Sequence, residues 1–432
     1  MRRMLRPAVT ALVALGILLT GAASAPAATI TSSAKLLPSD APGSARYGMS
    51  VALSSDGTIA LVGASYAAPS GKAYVLVKSG GVWSETAILT SSDGGVNSDN
   101  FGNAVALSAD GTTAFVGAPG ATVGTATRAG AVYVFTRAST TAPFVQQAKL
   151  TAATPSASAE VGSSVATSAD GSQLVTGAAA EGADYRGGAY FFARDTAGTW
   201  SAGGSVSGSS ESALMGTSVA MSADGATAAV GQPYYKYLVS GKTTYQPMVT
   251  TFTRSGAYWS YSKTISTPTG ASTSSNRFGG GALSFTANGQ QLLVGAPGTG
   301  YVGTTPVTGI GYLFAWTGSA WGTPKSFTAA ATGSGGHQMG GTGAIAADGS
   351  SVLLGGVDGN AYSTSSYGGG AVWKWNRTTS GTWPTTPNDV FHGFDITTGD
   401  RFSQSLAIGA DPAHPLVGAS GKSSFAGAAY AF

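Results

Sequence analysis

Phe101-Gly102-Asn103-Ala104-Val105-Ala106-Leu107-Ser108-Ala109-Asp110-Gly111-Thr112-Thr113-Ala114-Phe115-Val116-Gly117-Ala118-Pro119 is the stretch that decides the fold. An Asp-Gly pair between two short apolar runs is a strong hairpin signal, because both residues tolerate left-handed backbone angles. The sentence recurs along the chain. Tyr47-Gly48, Val161-Gly162, Met215-Gly216, Phe278-Gly279, Met339-Gly340 and the degenerate Phe402-Ser403 repeat its opening. Asp56-Gly57, Asp170-Gly171, Asp224-Gly225, Asn288-Gly289 and Asp348-Gly349 repeat its turn. The anchors at 48, 102, 162, 216, 279, 340 and 403 are 54 to 63 residues apart, which makes seven units.

Each unit continues after its Val-Gly-Ala-Pro-like second strand. A variable loop leads to a third strand such as Gly188-Ala189-Tyr190-Phe191-Phe192. A tight turn then leads to a fourth strand opened by an aromatic residue: Trp83, Phe144, Trp200, Trp259, Trp321 or Trp383. Four short antiparallel strands in seven copies predict an all-β, seven-bladed β-propeller. Gly, Ala, Ser and Val dominate the first two strands and aromatic residues the outer two, which fits the taper of a blade. Gly48, Gly102, Gly162, Gly216, Gly279 and Gly340 are expected where a Cβ would block close approach.

The two ends of the chain predict how the ring closes. The seventh unit stops at Gly427-Ala428-Ala429-Tyr430-Ala431-Phe432, a third strand without a fourth. Ser33-Ala34-Lys35-Leu36-Leu37 matches the fourth-strand Gln147-Ala148-Lys149-Leu150 and is expected to complete the last blade. Such closure leaves no sheet edge at the seam.

Composition narrows the classes of function. With 9% charged and 43% hydrophobic residues the chain is not of the disordered type. The 65 glycines, about twice the usual ~7% share, follow no collagen triplet. Absence of cysteine excludes disulfides, thiolate metal sites and a cysteine nucleophile. Arg2, Arg3 and Arg6, the apolar run from Ala8 to Leu19 and Ala25-Pro26-Ala27-Ala28 read as an export leader over residues 1–28, with the propeller occupying 29–432. The expected location is therefore extracellular, with no membrane span after cleavage. Without those three arginines, 19 basic residues face 19 acidic ones, so nothing points to nucleic acid.

These motifs resemble the FG-GAP repeat family. Phe101-Gly102 with Gly117-Ala118-Pro119 carries both signatures, as does Phe278-Gly279 with Gly295-Ala296-Pro297. The resemblance looks closest to the bacterial secreted branch, and it implies the seven-bladed architecture of the integrin α-subunit head. Integrin-type repeats hold calcium in an Asp-rich loop between the first two strands. Here each turn offers one acid, as in Ser108-Ala109-Asp110-Gly111, too few for the several oxygen ligands calcium needs. These aspartates are read as turn formers, and no metal or cofactor is carried over.

No nucleophile elbow, phosphate loop or zinc helix is present. His337, His392 and His414 are scattered and carry no catalytic assignment. The functional signal is loop asymmetry: one face bears short uniform turns, the other long variable loops. Tyr234, Tyr235, Tyr237 and Tyr245 lie on the longest, with Tyr301, Tyr362 and Tyr367 on the loops of units five and six. Tyrosines on loops suit recognition, since the ring is large and rigid and carries a polar tip. The alternative for them is a structural role, extending the strands into a longer hairpin. Arg128, Arg186, Lys236, Lys242 and Arg277 accompany these loops and favour an anionic partner. The expectation is a non-enzymatic binding or adhesion module for a carbohydrate or protein ligand. The alternatives are a polysaccharide hydrolase or lyase using loop acids such as Asp93, Asp99, Glu160, Glu181, Asp184, Glu211, Asp358 and Asp400, and a passive scaffold.

Overall fold

The computed structural model describes residues 27–40, 43–93, 98–239, 242–268, 276–298, 301–302, 305–306, 309–328, 338–357 and 369–432. Seven antiparallel sheets follow one another along the chain, each beginning at one of the seven anchors. Blade two shows the plan: Ala104–Leu107, Thr113–Ala118, Ala131–Thr136 and Val145–Leu150 pair in sequence order. Its second strand is buried throughout, because both blade faces lie against neighbours.

The repeated dipeptide sits at the contact between blades. Gly102 has φ +89°, and a Cβ there would lie 2.3 Å from the Lys72 carbonyl oxygen of the preceding blade. Gly48, with φ +80°, faces Ala428 across the seam in the same way. The expected close approach is therefore what holds these anchors to glycine. The anchor N–H also donates to its own second strand, Gly102 to Gly117 at 3.0 Å. First-strand hydroxyls reach the next anchor's carbonyl, Ser50 to Gly102 at 3.0 Å and Ser405 to Gly48 at 2.9 Å. The aromatic partner of the dipeptide is fully buried: Phe101 lies 5.4 Å from Tyr133, and Phe278 lies 5.8 Å from Tyr312.

The aromatics expected to open the fourth strands also bridge blades, although Trp383 precedes its strand, Asp389–His392. Trp200 meets Phe115 edge-on at 5.7 Å, Trp259 stacks on Phe191 at 4.9 Å and Trp383 meets Phe327 at 5.2 Å. In each case the tryptophan packs on the blade before its own.

Ala34–Leu36 pairs with the terminal strand, Ala34 opposite Ala431 and Leu36 opposite Ala429, and so completes blade seven. Just ahead of it, Ala28–Thr31 adds a parallel strand to blade six along Asp389–His392, which the repeat pattern did not foretell. The long blade-four loop folds into a hairpin, Lys236–Val239 against Lys242–Tyr245.

The Ser-x-Asp-Gly segments are self-contained turns. Asp110 accepts from the Ser108 hydroxyl at 2.6 Å and from the Thr112 N–H at 2.9 Å, while the Thr113 N–H donates to the Ser108 oxygen. Asp56 and Asp170 do the same, and Thr286 with Asn288 reproduces it in blade five. Five of the turns donate a backbone hydrogen bond to the next blade around the channel, among them Ser55 to Ala109, Ala109 to Ala169 and Ala169 to Ala223, each at 2.8 Å. Ala287 to Ala347 and Ala410 to Ser55 continue the girdle.

Candidate functional site

On the face opposite those turns, the residue before each anchor dipeptide is left-handed in all seven blades. Arg46, Asn100, Glu160, Leu214, Arg277, Gln338 and Arg401 have φ between 45° and 60°. Each carbonyl accepts from the N–H three residues on, as Arg46 does from Met49 and Arg401 from Gln404. A left-handed non-glycine residue costs roughly 1–2 kcal/mol, so the fold itself imposes this turn. What varies is the side chain it presents at the mouth of the ring.

Between blades five, six and seven the mouth opens into a cleft of about 540 Å³. Arg277, Gln338, Arg401, Gln404, Pro297 and Phe425 line it. After the anchor glycine, blades one to four carry Met49, Asn103, Ser163 and Thr217, whereas blades five and six carry Gly280 and Gly341, which also line the cleft. Loss of two side chains makes room at this point of the ring. The central channel itself, about 370 Å³, is lined by first-strand residues of every blade and is mostly alanine near the turns.

The cleft is cationic and aromatic. Arg46, Arg277 and Arg401 make no ion pair among the described residues. Buried Nε of Arg277 has no hydrogen-bond partner there either. The guanidiniums lie against rings instead. Arg46 is 4.0 Å from the Tyr66 centroid and 5.6 Å from Phe425, Arg401 is 5.8 Å from Phe425, and Arg277 is 5.5 Å from Tyr234.

Phe425 is 42% exposed and ends three successive left-handed residues, Ser423, Ser424 and Phe425, with φ of 53°, 58° and 73°. An aromatic residue in this conformation is a true outlier, and such strain gathers at binding sites. The turn is tied down by buried Lys422, which donates to Asp400 at 2.8 Å and to the Asp395 carbonyl.

Of the tyrosines expected to bind, Tyr234 and Tyr235 are half-buried at the base of the blade-four hairpin, and Tyr234 reaches the cleft through Arg277. Tyr245 is 40% exposed. Tyr237 pairs with Thr244 in the hairpin, and Tyr301 pairs with Pro306 in a two-residue ladder. The hairpin extension is thus real for Tyr237 and Tyr245. Tyr362 and Tyr367 lie outside the described residues, as do Asp358 and His337. Phe425, Arg46 and Arg401 carried no mark in the sequence. Only the recurrence of arginine just before the anchor, in units one, five and seven, could have revealed them.

The loop carboxylates are engaged elsewhere. Asp93 accepts from the Tyr133 hydroxyl at 3.0 Å and from Lys149 at 2.5 Å. Glu181 accepts from Tyr190 at 2.5 Å, Glu160 pairs with Arg128, and Asp184 lies 3.4 Å from Arg186. Asp400 holds Lys422, and Asp99 and Glu211 are also in contact with partners. Burial raises the Asp93 carboxyl, but Lys149 and Tyr133 outweigh it and leave it below the usual carboxylate range. Burial and Asp93 push the Tyr133 phenol up. Arg128 and Arg186 are thereby paired, and Arg277 of the expected cationic set lines the cleft. Half-buried His392 is lowered by burial, and exposed His414 sits 2.7 Å from Asp411. Among the described residues no group of three or more His, Asp or Glu comes together in a way that could hold a metal.

The FG-GAP repeat family model matches residues 30–76 and 83–135: the closing strand with the first three strands of blade one, then the fourth strand of blade one with the first three of blade two. No curated protein matches the chain. A solved structure from Bacteroides uniformis, named as a putative 6-phosphogluconolactonase, is similar over 85% of this chain and 88% of its own, with a TM-score of 0.51 at 12% identity. A likeness at that identity speaks for the fold alone.

Proposed function

We propose that this chain, an FG-GAP-repeat β-propeller, is a non-enzymatic ligand-binding module that acts outside the cell through its variable-loop face. The single observation that carries the reading is the cleft between blades five, six and seven, at whose edge Tyr234 stacks on Arg277. Its volume of about 540 Å³ falls in the range of small-ligand sites, ~300–1,000 Å³. A carbohydrate or the side chains of a protein partner are the ligand classes that rings and amides of this kind suit. Export is part of the proposal and rests on the basic and apolar leader, residues 1–28. No described helix is long and apolar enough to cross a membrane. A hydrolytic reading gains no support from carboxylates already committed to lysine, arginine and tyrosine.

The test is retention of the purified protein on immobilised polysaccharides, cell-wall fragments and matrix proteins, with soluble products assayed in parallel. The expected outcome is retention without cleavage, weakened by Tyr234→Ala together with Tyr235→Ala. Released products would sink the reading, and a blank panel would leave a passive scaffold.

A further inference from the structure

We propose that the cleft between blades five and seven is a site for an acidic saccharide, whose carboxylate or sulfate is held by Arg277 and Arg401 while its ring lies against Phe425. This rests on the ligand-binding reading of the loop face and names the ligand class. Three observations converge. The chain without its leader has equal numbers of acids and bases, yet three arginines gather at one side of the mouth with no acid against them among the described residues. One of them, Arg277, lines the cleft, and its guanidinium rests on Tyr234 with no carboxylate paired to it among the described residues.

The second observation is the strained turn that sets the exposed Phe425 ring beside two of these guanidiniums. Left-handed Ser423, Ser424 and Phe425 hold an exposed ring where Arg46 and Arg401 both reach it, and a buried Lys422–Asp400 pair fixes the turn from below. A ring held this way is a platform for an apolar sugar face, and the flanking cations select the charged substituent. The third is the amide pair Gln338 and Gln404 on the same wall, each able to donate to and accept from hydroxyls. An acidic peptide would use the cations but not the platform.

The experiment is calorimetric titration of the full chain with an oligogalacturonate, the same oligomer with its carboxyls reduced to alcohols, a sulfated dextran oligomer, its unsulfated parent, and polyglutamate of matched charge. Binding to one or both acidic saccharides is expected, weaker by roughly tenfold or more for the neutral counterpart and falling as salt rises. Arg401→Gln and Arg277→Gln should each lose about tenfold, and Phe425→Ala should weaken saccharide binding more than polyglutamate binding. Gln is a fair replacement because Gln338 already adopts the same backbone conformation in blade six. If Arg277→Gln fails to fold, exposed Arg401→Gln and the added charge of Gln338→Arg, expected to tighten binding, decide the matter. Equal binding of acidic and neutral oligomers, or acidic binding indifferent to the arginines, overturns the inference while leaving the loop-face reading intact. Tighter binding of polyglutamate than of either acidic saccharide overturns the saccharide assignment. No binding of any probe overturns the inference too, and the wider panel then judges the loop-face reading.

Discussion

Gly102 and Ser403 occupy equivalent points of blades two and seven, and together they show what the anchor position demands. Gly102, at φ +89°, has the Lys72 carbonyl 2.3 Å from where a Cβ would stand. Gly102→Ala is therefore expected to cost more than about 2 kcal/mol, read as a lower denaturant midpoint at unchanged slope. Ser403 already carries a side chain at φ 71°, fully buried, and its hydroxyl has no partner among the described residues. Ser403→Gly removes roughly 1–2 kcal/mol of left-handed strain and adds roughly 0.5–1 kcal/mol of unfolded-chain entropy. The outcome should lie between neutral and about 1.5 kcal/mol more stable; a clear loss of stability would contradict this account of the anchor. The binding residues were harder to see than the anchors for a related reason. Left-handed Arg46, Gln338 and Arg401 sit beside the repeat motif but belong to no residue type that marks the conformation. Phe425 owes its exposure to a turn in one blade only, which repetition cannot reveal.

At the scale of the element, the Ser-x-Asp-Gly turn links local chemistry to pH. Burial raises the carboxyls of Asp56, Asp110 and Asp170, but the serine hydroxyls and the donors two residues on outweigh it, and all three titrate below the ordinary value. In Asp348 the Ser350 donors act first and in the same direction. A carboxyl depressed in the folded state stabilises the fold above its unfolded pKa, about 3.9, and that contribution is lost as pH falls through the folded value. The melting temperature should therefore be flat from about pH 7 to 8, dip as the pH falls through about 6.5, where the unfolded chain protonates His392 more readily than the fold does, and fall further below about pH 4. Asn288 makes the same turn without titrating, accepting from Thr286 at 2.9 Å and Gln290 at 3.1 Å. Asp110→Asn with Asp170→Asn should then keep the fold at pH 7 and flatten the acid limb. An unchanged acid limb would place the titration elsewhere. These hairpins were legible because every donor and acceptor lies within five residues of sequence. The blade-four loop was legible only in length: its alternation of tyrosine and lysine does not distinguish a binding loop from the hairpin it forms.

At the scale of the molecule, the ring has one seam, closed by the first described residues of the chain. Closure was legible because Ala34-Lys35-Leu36-Leu37 repeats a fourth-strand pattern that the last unit lacks. The parallel strand Ala28–Thr31 was not, since nothing in the repeat asks for a fifth strand on blade six. Leu36 is 6% exposed and packs in one cluster with Leu416 and Ala429 of blade seven and Val51 and Val62 of blade one. It thus joins both sides of the seam. Its salt-bridged neighbour Lys35 meets Asp395 at 2.8 Å, and Asp395 also accepts from Tyr430, so a polar clasp covers the apolar one. Leu36→Ala should cost about 2–5 kcal/mol as a buried large-to-small change. If blades depend on the closed ring, the loss should appear as one transition at lower temperature, with the tryptophans of blades three, four and six reporting together. Val145→Ala supplies the control, because Val145 is 65% exposed on the outer strand of blade two and bears on no seam. A separate early transition after Leu36→Ala, with the remaining blades melting at the original temperature, would mean that each blade stands by its neighbour contacts and that closure adds only its own strand.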